Sequence, residues 1–164
     1  MLSTPFEKHT LSMSILMTPD KANFSGNVHG GDLLKLLDQV AYACASRYCG
    51  GYVVTMSVDQ VIFKQSIPVG TLVTFLASVN FTGRTSMEVG IKVISENIQK
   101  GIATHTNSCF FTMVAVDEHG RPTPVPPLVP TTETQLRRYK EAQKRRDIRL
   151  HGCECHGEKE EKPC

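Results

Sequence analysis

A single helix pattern with an unusually wide apolar arc most constrains the fold of this chain. The pattern begins near Gly30 and ends at the glycines of "CGG", which are typical of a helix C-terminus. On a helical wheel, one apolar stripe has further apolar residues on both flanks; the stripe is Leu33, Leu37, Val40 and Cys44, and the flanks are Leu34, Leu36, Ala41 and Ala45. A two-layer protein would leave more of such a helix in water. We therefore expect a helix wrapped by a curved antiparallel sheet.

Five β-rich runs supply the strands of that sheet. One run, at residues 11–17, largely alternates apolar and polar residues and precedes the helix. Four more follow the helix, at residues 52–65, 71–80, 85–95 and 103–116. The breaks between those four, "IPVG", "TGR" and "NIQKG", are typical of turns. The element order β-α-β-β-β-β predicts an α+β fold.

The chain after the last strand has a different character. Five prolines within residues 120–130 predict an extended, stiff connector. Thr132 and Gln135 have the spacing of a capping box and predict a second helix that runs to about Asp147. Residues 151–164 are polar and compositionally biased, which is typical of a disordered tail. We therefore divide the chain into a body at 8–130, a basic helix at 131–150 and a tail at 151–164.

Composition places the chain among globular proteins with one domain. The 164 residues are 40% apolar and 21% charged, which allows one ordinary core. No uninterrupted apolar run is long enough to cross a membrane, and residues 1–8 lack the apolar segment of a signal peptide. We expect a cytoplasmic protein without membrane insertion, with its six cysteines reduced. The spacing of Cys153, Cys155 and His156 is not a standard zinc pattern, and we expect no metal site.

The net charge of +2 conceals a local basic segment. Residues 137–150 hold seven basic and two acidic side chains, so that segment carries +5 and the rest of the chain −3. A basic patch on a nearly neutral body predicts a local anionic partner. It argues against a general nucleic-acid surface.

The residues "NVHGG" before and within the first helical turn form a candidate site. Backbone N–H groups at a helix N-terminus are unpaired, so Gly30 and Gly31 could hold a phosphate or polarise a carbonyl. Both glycines could instead serve a tight turn. Asn27 could be an N-terminal cap or a turn former, and His29 could be a turn residue bonded to the backbone. The pattern gains weight only as an ensemble with an acid further along the helix.

Asp38 is that acid. It lies about 130° from the centre of the apolar stripe, just beyond Leu34 and Ala45. We expect such a carboxylate to be partly desolvated, with a raised pKa that suits a base or nucleophile. The alternative is a structural contact with Lys35 or Tyr42, one turn away.

Three segments in order make the body resemble a known family. They are "GNVHGGDLLKLLDQVAYACASRY", "VVTMSVDQVIFKQSIPVGTLVTFLASVNFTGRTSMEVGIKV" and "HTNSCFFTMVAVDEHGRPTPVPPL". Residues 8–130 resemble the hotdog-fold acyl-CoA thioesterases, in particular the bacterial acyl-CoA hydrolases and the brain-type cytosolic acyl-CoA hydrolase. The resemblance implies a five-stranded antiparallel sheet around a central helix. It also implies hydrolysis of fatty acyl-CoA to a free fatty acid and coenzyme A, with no separate cofactor.

The resemblance assigns roles at the helix start. It implies that Asp38 is the catalytic acid, that Asn27 orients the water or the carbonyl, and that Gly30 and Gly31 polarise the thioester. In the family, active sites lie at the interface of a dimer, and dimers commonly assemble as trimers. A homohexamer is therefore expected, with Asn27 of one subunit beside Asp38 of the other.

Coenzyme A binding is assigned to other segments. "TGRTSMEV" resembles the family's strand that meets the pantetheine and phosphates, which makes Arg84, Thr85 and Ser86 candidates. His29 is a further candidate for substrate binding. In the basic helix, Arg145 and Arg146 could reach the nucleotide end, although this segment lies beyond the resemblance.

Two other functions on the same fold are open to test. The first is a non-catalytic protein that senses acyl-CoA or a nucleotide effector, which the basic helix motivates. The second is a dehydratase, which is disfavoured because His29 is the only histidine in the helix or its entry loop.

Overall fold

A computed structural model of the chain describes residues 7–59 and 61–154. Its strands are β1 (Thr10–Leu16), β2 (Tyr52–Val58), β3 (Leu72–Thr82), β4 (Ser86–Asn97) and β5 (Ile102–Val116). Its helices are α1 (Gly30–Cys49) and α2 (Glu133–Glu154), and a short 3-10 turn spans Pro19–Lys21. The element order predicted from the sequence is confirmed.

The five strands form one antiparallel sheet in the order β1-β3-β4-β5-β2. Strands β1 and β2 are its two edges, so each pairs with one neighbour. Alternate residues of the inner strands point toward α1, as a period of two requires. The largest of these buried side chains are Phe75, Phe111, Met87, Ile91 and Met113.

Helix α1 buries the arc that the helical wheel predicts, with one exception. Its buried residues are Leu33, Leu36, Leu37, Val40, Ala41, Cys44 and Ala45. Leu34, on one predicted flank, is instead 38% exposed. The sheet therefore encloses the stripe and most of both flanks, and it leaves open the margin that carries Leu34 and Asp38. Each fully buried leucine contributes roughly 2 kcal/mol, so this enclosure dominates the stability of the body.

The strand predicted at residues 52–65 is shorter than expected. Strand β2 ends at Val58, after a register shift between Thr55 and Ser57. The Asp59 N–H then donates to the Phe110 carbonyl, and the chain leaves the sheet. In the described structure, the apolar residues after position 60 do not pair with a strand. Their β-propensity was misleading because it reflects packing on a pleated surface more than an intrinsic backbone preference.

Helix α2 begins as predicted and ends later. The Gln135 N–H donates to Thr132 Oγ1, and the Thr132 N–H donates back to Gln135 Oε1, both at 3.2 Å, which confirms the capping box. The helix continues to Glu154, past the predicted end at Asp147 and into the predicted tail. A single glycine, Gly152, costs only about 1 kcal/mol in a helix and does not stop it. Residues 155–164 of that tail lie outside the described residues.

Helix α2 packs against the face of the sheet opposite α1, which we call the outer face. Its buried Ala142 and the Tyr139 ring, 5.0 Å from the Phe81 ring, make the apolar contacts. The helix carries no apolar stripe wide enough to hold it there by burial alone. Ion pairs supply much of the rest.

A buried carboxylate on the outer face anchors α2. The Glu88 side chain is 2% exposed and accepts two hydrogen bonds from Arg145, at 2.7 and 3.1 Å. The Arg145 guanidinium also stacks over the Phe110 ring at 3.6 Å. Arg149 lies 3.7 Å from Glu88 and donates to both oxygens of Asp59, at 3.0 and 2.8 Å. These bonds compensate the desolvation of the Glu88 carboxylate and join α2 to the segment after β2.

Two cysteines belong to the core, and a third, Cys49, is half-buried. Cys44 of α1 and Cys109 of β5 are buried free thiols, and burial raises the pKa of each to about 12. They are protonated at neutral pH and pack as small apolar side chains. Neither described helix is long and apolar enough to span a membrane.

We predict that Arg145→Ala destabilises the protein by about 3 kcal/mol, because it leaves the buried Glu88 carboxylate with a distant partner only. Lys144→Ala is the matched control, since Lys144 is an exposed neighbour on the same helix. Urea denaturation monitored by circular dichroism measures both. Equal stability of the two variants would contradict an anchoring role for the ion pair.

Candidate active site

His29 caps the N-terminus of α1. Its Nδ1 accepts a hydrogen bond from the Gly31 N–H at 3.1 Å, and its carbonyl accepts from the Leu33 N–H at 3.1 Å. Its own N–H donates to the Lys21 carbonyl at 2.8 Å, which ties the helix start to the 3-10 turn. The sequence left open whether His29 is a turn residue or binds substrate, and in this structure it is the N-cap of α1.

The two glycine N–H groups therefore differ. The Gly31 N–H is occupied by His29, and a Cβ at Gly31 would lie 3.2 Å from His29 Nδ1, which explains a glycine beside this cap. The Gly30 N–H has no acceptor within residues 7–59 and 61–154. Gly30 lines a cavity of about 210 Å³ together with Leu33, Phe63 and Ile67, among other residues. A carbonyl oxygen could accept from Gly30 without displacing another group.

The loop before α1 is folded by its own asparagines. Asn23 Oδ1 accepts from the Ser25 N–H at 2.9 Å and from the Asn27 N–H at 3.1 Å. The Asn27 side chain donates weakly to the Ser25 carbonyl, at 3.4 Å. Both asparagines are half-buried, and they lie next to each other in this turn. Asn23 was not among the residues predicted for the site.

Asp38 is exposed and bonded to a residue that the sequence did not reveal. The Thr55 hydroxyl of β2 donates to Asp38 Oδ1 at 2.5 Å, which is a short charge-assisted hydrogen bond. The described contact is thus with Thr55, rather than with Lys35 or Tyr42. The prediction of partial burial fails in the single chain, because the flank of α1 that carries Asp38 is the open one. Thr55 shares the helix-facing side of β2 with Val53, a periodicity that could have identified it.

Apolar side chains surround Asp38 on the open flank. Leu34 and Tyr42, one turn on either side, are 38% and 40% exposed, and the Tyr42 ring meets the Tyr52 ring at 5.8 Å. The adjacent edge strand adds further exposed apolar residues, which are Tyr52, Val54, Met56 and Val58. We call this set the open flank. Several large exposed apolar residues along one unpaired strand edge are typical of a protein interface.

Distances within one chain separate the predicted site residues. Asp38 follows Gly30 by eight residues, about 12 Å along the helix axis. Arg84, Thr85 and Ser86 form the turn between β3 and β4, whereas Ile67, at the other end of the sheet, bonds the helix entry through the Val28 N–H. Strand β3 spans roughly 30 Å between those ends.

The two arginines predicted from the basic helix lie on the outer face, away from α1. The Arg145 side chain bonds Glu88, and the Arg146 guanidinium lies 5.7 Å from the Phe81 ring. Within one chain, Asp38 contacts Thr55, and His29 contacts Gly31. Neither pair lies beside the residues that were predicted to bind coenzyme A.

Sequence and family comparisons agree on one family. Residues 25–102 match the model of the Thioesterase superfamily. Protein VdlD of Helicobacter pylori is 57% identical over 146 residues, which are 89% of this chain and 83% of that protein. A hexameric acyl-CoA thioesterase in its apo form superposes with a TM-score of 0.84 at 40% identity, over 88% of this chain and 92% of the other.

The chain belongs to the hotdog-fold acyl-CoA thioesterases. The fold predicted from the sequence is confirmed, with a five-stranded antiparallel sheet against a long helix. A more distant member of this thioesterase family is the acyl-CoA hydrolase of Staphylococcus aureus, solved with butyryl coenzyme A and coenzyme A. It has a TM-score of 0.78 at 25% identity, over 89% of this chain and 92% of the other. The same hydrolase was solved with alanine in place of an asparagine, an aspartate or a threonine.

For this thioesterase we predict that His29→Ala costs about 1 kcal/mol of stability, because it removes the cap of α1. His29→Asn supplies another capping acceptor and should retain most of that stability. Thermal unfolding of both variants measures the difference. A larger loss in His29→Asn than in His29→Ala would show that the cap is not what His29 contributes.

Proposed function

We propose that this thioesterase hydrolyses fatty acyl-CoA to a free fatty acid and coenzyme A, with Asp38 as general base or nucleophile. The observation that carries the proposal is the short Thr55–Asp38 hydrogen bond on an exposed flank of α1. The hydroxyl fixes one carboxylate oxygen and leaves the other toward the surface. A positioned carboxylate of this kind can activate water or attack a thioester.

The second half of the site comes from a partner subunit. A thioester carbonyl bound at the start of α1 lies about 12 Å from Asp38 of the same chain, whereas reacting atoms must approach to about 3 Å. A two-fold axis beside the unpaired edge of β2 places two copies of that strand antiparallel. The helix start of one subunit then approaches Asp38 of the other.

The open flank supports this dimer. Pairing two β2 edges covers the exposed apolar residues beside Asp38 and removes an unpaired strand edge from water. It would also desolvate the carboxylate, which the single chain leaves exposed. Because a similar thioesterase is hexameric, we further propose a trimer of such dimers.

The Gly30 N–H is the proposed oxyanion donor. It has no acceptor in the described chain, and one such donor contributes about 3 kcal/mol to the transition state. Gly31 can add a second donor only when His29 releases its N–H. The antiparallel dimer also brings Arg84, Thr85 and Ser86 of the subunit that supplies Asp38 to this end, where they would hold the phosphates of coenzyme A. Arg146 is a more available candidate than Arg145, whose guanidinium is already engaged.

Asn23 is a second candidate, besides Asn27, for the asparagine of the site. In the Staphylococcus aureus hydrolase, the substituted asparagine and aspartate are 15 positions apart, and the aspartate and threonine are 17 apart. Asn23, Asp38 and Thr55 have the same two separations here. This agreement favours Asn23 over Asn27, the asparagine chosen from the sequence motif.

A cytoplasmic location stays a prediction.

We expect Asp38→Asn to lower kcat for palmitoyl-CoA hydrolysis by roughly a thousandfold, because the amide can neither accept a proton nor attack. Thr55→Val should lower kcat about tenfold, since the carboxylate loses its fixed position. Release of the coenzyme A thiol measures both rates. Unchanged rates in Asp38→Asn would exclude the proposed mechanism, and negligible rates in the wild type would favour a binding protein.

Asn23→Ala and Asn27→Ala form a matched pair. Asn23→Ala also removes two backbone hydrogen bonds that fold this turn, so Asn23→Asp, which keeps those acceptors and loses only the amide donor, is the control for loop structure. We expect Asn23→Ala to lower kcat by tenfold or more and Asn27→Ala to lower it less. The reverse order would restore Asn27 to the site.

Mixed dimers test whether each site draws on two subunits. We expect Asp38→Asn and Asn23→Ala proteins, each nearly inactive, to regain activity when unfolded together and refolded. A heterodimer then holds one site with both residues intact and one with neither, so the mixture approaches a quarter of wild-type activity. Mixing folded samples without exchange is the control. No recovery despite confirmed heterodimers would place both residues in one subunit's site.

A further inference from the structure

The outer face holds a groove with a mixed polar and apolar lining, which takes no part in the chemistry proposed at Asp38. Sheet residues form one wall and α2 forms the other, and the cavity between them measures about 200 Å³. Asn80, Gly90, Lys92, Ser108 and Phe110 contribute from the sheet, and Arg137, Arg138, Glu141 and Arg145 from α2. We call this cavity the outer groove. It lies on the opposite side of the sheet from α1 and Asp38.

A bulge in β3 places Asn80 in the outer groove. Val79 pairs with Val89, and the next pair is Phe81 with Glu88, so Asn80 has no partner in the ladder. The extra residue turns the Asn80 side chain to the same face as Phe81. Bulges often re-aim one side chain at a site in this way.

Glycine at position 90 makes room for that amide. A Cβ at Gly90 would lie 2.3 Å from Asn80 Nδ2, closer than any side chain could tolerate. Glycine has a low strand propensity, and at position 90 of β4 its lack of a side chain leaves room for the Asn80 amide. Strand packing alone does not call for this arrangement.

The bonding of Asn80 leaves its donor group unused. Arg138 Nη1 donates to Ser78 Oγ at 3.2 Å, and Ser78 donates its single proton to Asn80 Oδ1 at 2.8 Å. The Nδ2 group of Asn80 therefore faces away from Ser78, and nothing in the described part of the chain accepts from it. Asn80 is only 4% exposed, so an unused donor here is costly unless a ligand or water accepts from it.

The charges around the outer groove favour an anion. Arg137 bonds both oxygens of Glu141, at 2.9 and 3.1 Å, and Arg145 is held by Glu88. Arg138 and Lys92 have no carboxylate partner among residues 7–59 and 61–154. The unused groups are all donors, namely the Asn80 amide, the rest of the Arg138 guanidinium and the Lys92 ammonium.

We propose that the outer groove binds a phosphate group, held by Asn80 Nδ2, Arg138 and Lys92. An arginine beside an amide donor suits phosphate oxygens, and the cavity is smaller than the pockets that enclose whole drug-sized ligands. The phosphate belongs either to the nucleotide end of a coenzyme A molecule or to a separate phosphorylated effector. Both present the same group to the groove.

Titration of the full-length protein with inorganic phosphate, followed by calorimetry and phosphorus NMR, tests the site directly. Asn80→Asp keeps the size and the Ser78 hydrogen bond but replaces a donor with a carboxylate, and Arg138→Gln removes one charge. We expect each to weaken phosphate binding by roughly tenfold or more. Lys140→Gln, the same charge change at an exposed α2 position outside the groove, should bind like the wild type. Thermal unfolding confirms that the variants fold.

Coenzyme A, its dephosphorylated form and ADP distinguish the sources. If the substrate supplies the phosphate, Arg138→Gln raises KM for acyl-CoA, and the dephosphorylated form does not compete with phosphate. If a separate effector supplies it, KM without added phosphate is unchanged and ADP competes. Either result supports the site.

Absence of saturable phosphate binding in the wild type, or equal binding by wild type, Asn80→Asp and Arg138→Gln, would overturn it. An altered assembly state in Arg138→Gln without any effect on phosphate would also overturn it, and would assign the groove to a neighbouring subunit.

Discussion

Enclosure of α1 by the curved sheet is the constraint on which the rest of the structure depends. A helix with so wide an apolar arc must be covered on most sides, and five strands provide that cover. The sheet ends at the edge strand β2, so one flank of the helix stays open. Asp38 stands on that flank and takes its orientation from Thr55 of the same edge strand. In the proposed dimer, this incomplete enclosure is what lets a second subunit bind beside α1 and lets the Asp38 carboxylate meet substrate.

The sequence predicted the elements whose signals are local. The apolar period of α1, the turn residues between strands and the capping box at Thr132 each lie within a few residues, and each element formed as expected. Element ends were less predictable, because β2 leaves the sheet while its partner β5 continues, and α2 continues while Arg149 still has a partner. These limits depend on contacts between distant segments.

The candidate site shows the same division. Asp38 was identified because an acid next to an apolar helix face is visible in the sequence alone. Thr55 was missed, since its role depends on which strand lies beside α1 and in what register. The expected burial of Asp38 does not appear in one chain, and in the proposed dimer the surface that buries it belongs to the second copy. His29 was correctly placed at the helix start, but only the structure shows that its ring occupies one of the two glycine N–H groups.

The ion pair between Arg149 and Asp59 gives α2 an influence beyond its own face. Asp59 directly follows β2 and begins the segment that leads to Phe63, whose ring would lie 3.7 Å from a Cβ at Gly30. Helix α2, on the outer face, is thereby joined at the sheet edge to the segment that borders Gly30, the proposed oxyanion donor, on the other side. The Arg149–Asp59 ion pair thus links the outer face of the sheet to the helix-facing side at the sheet edge. A change in the position of α2 can therefore reach the start of α1 without passing through the core.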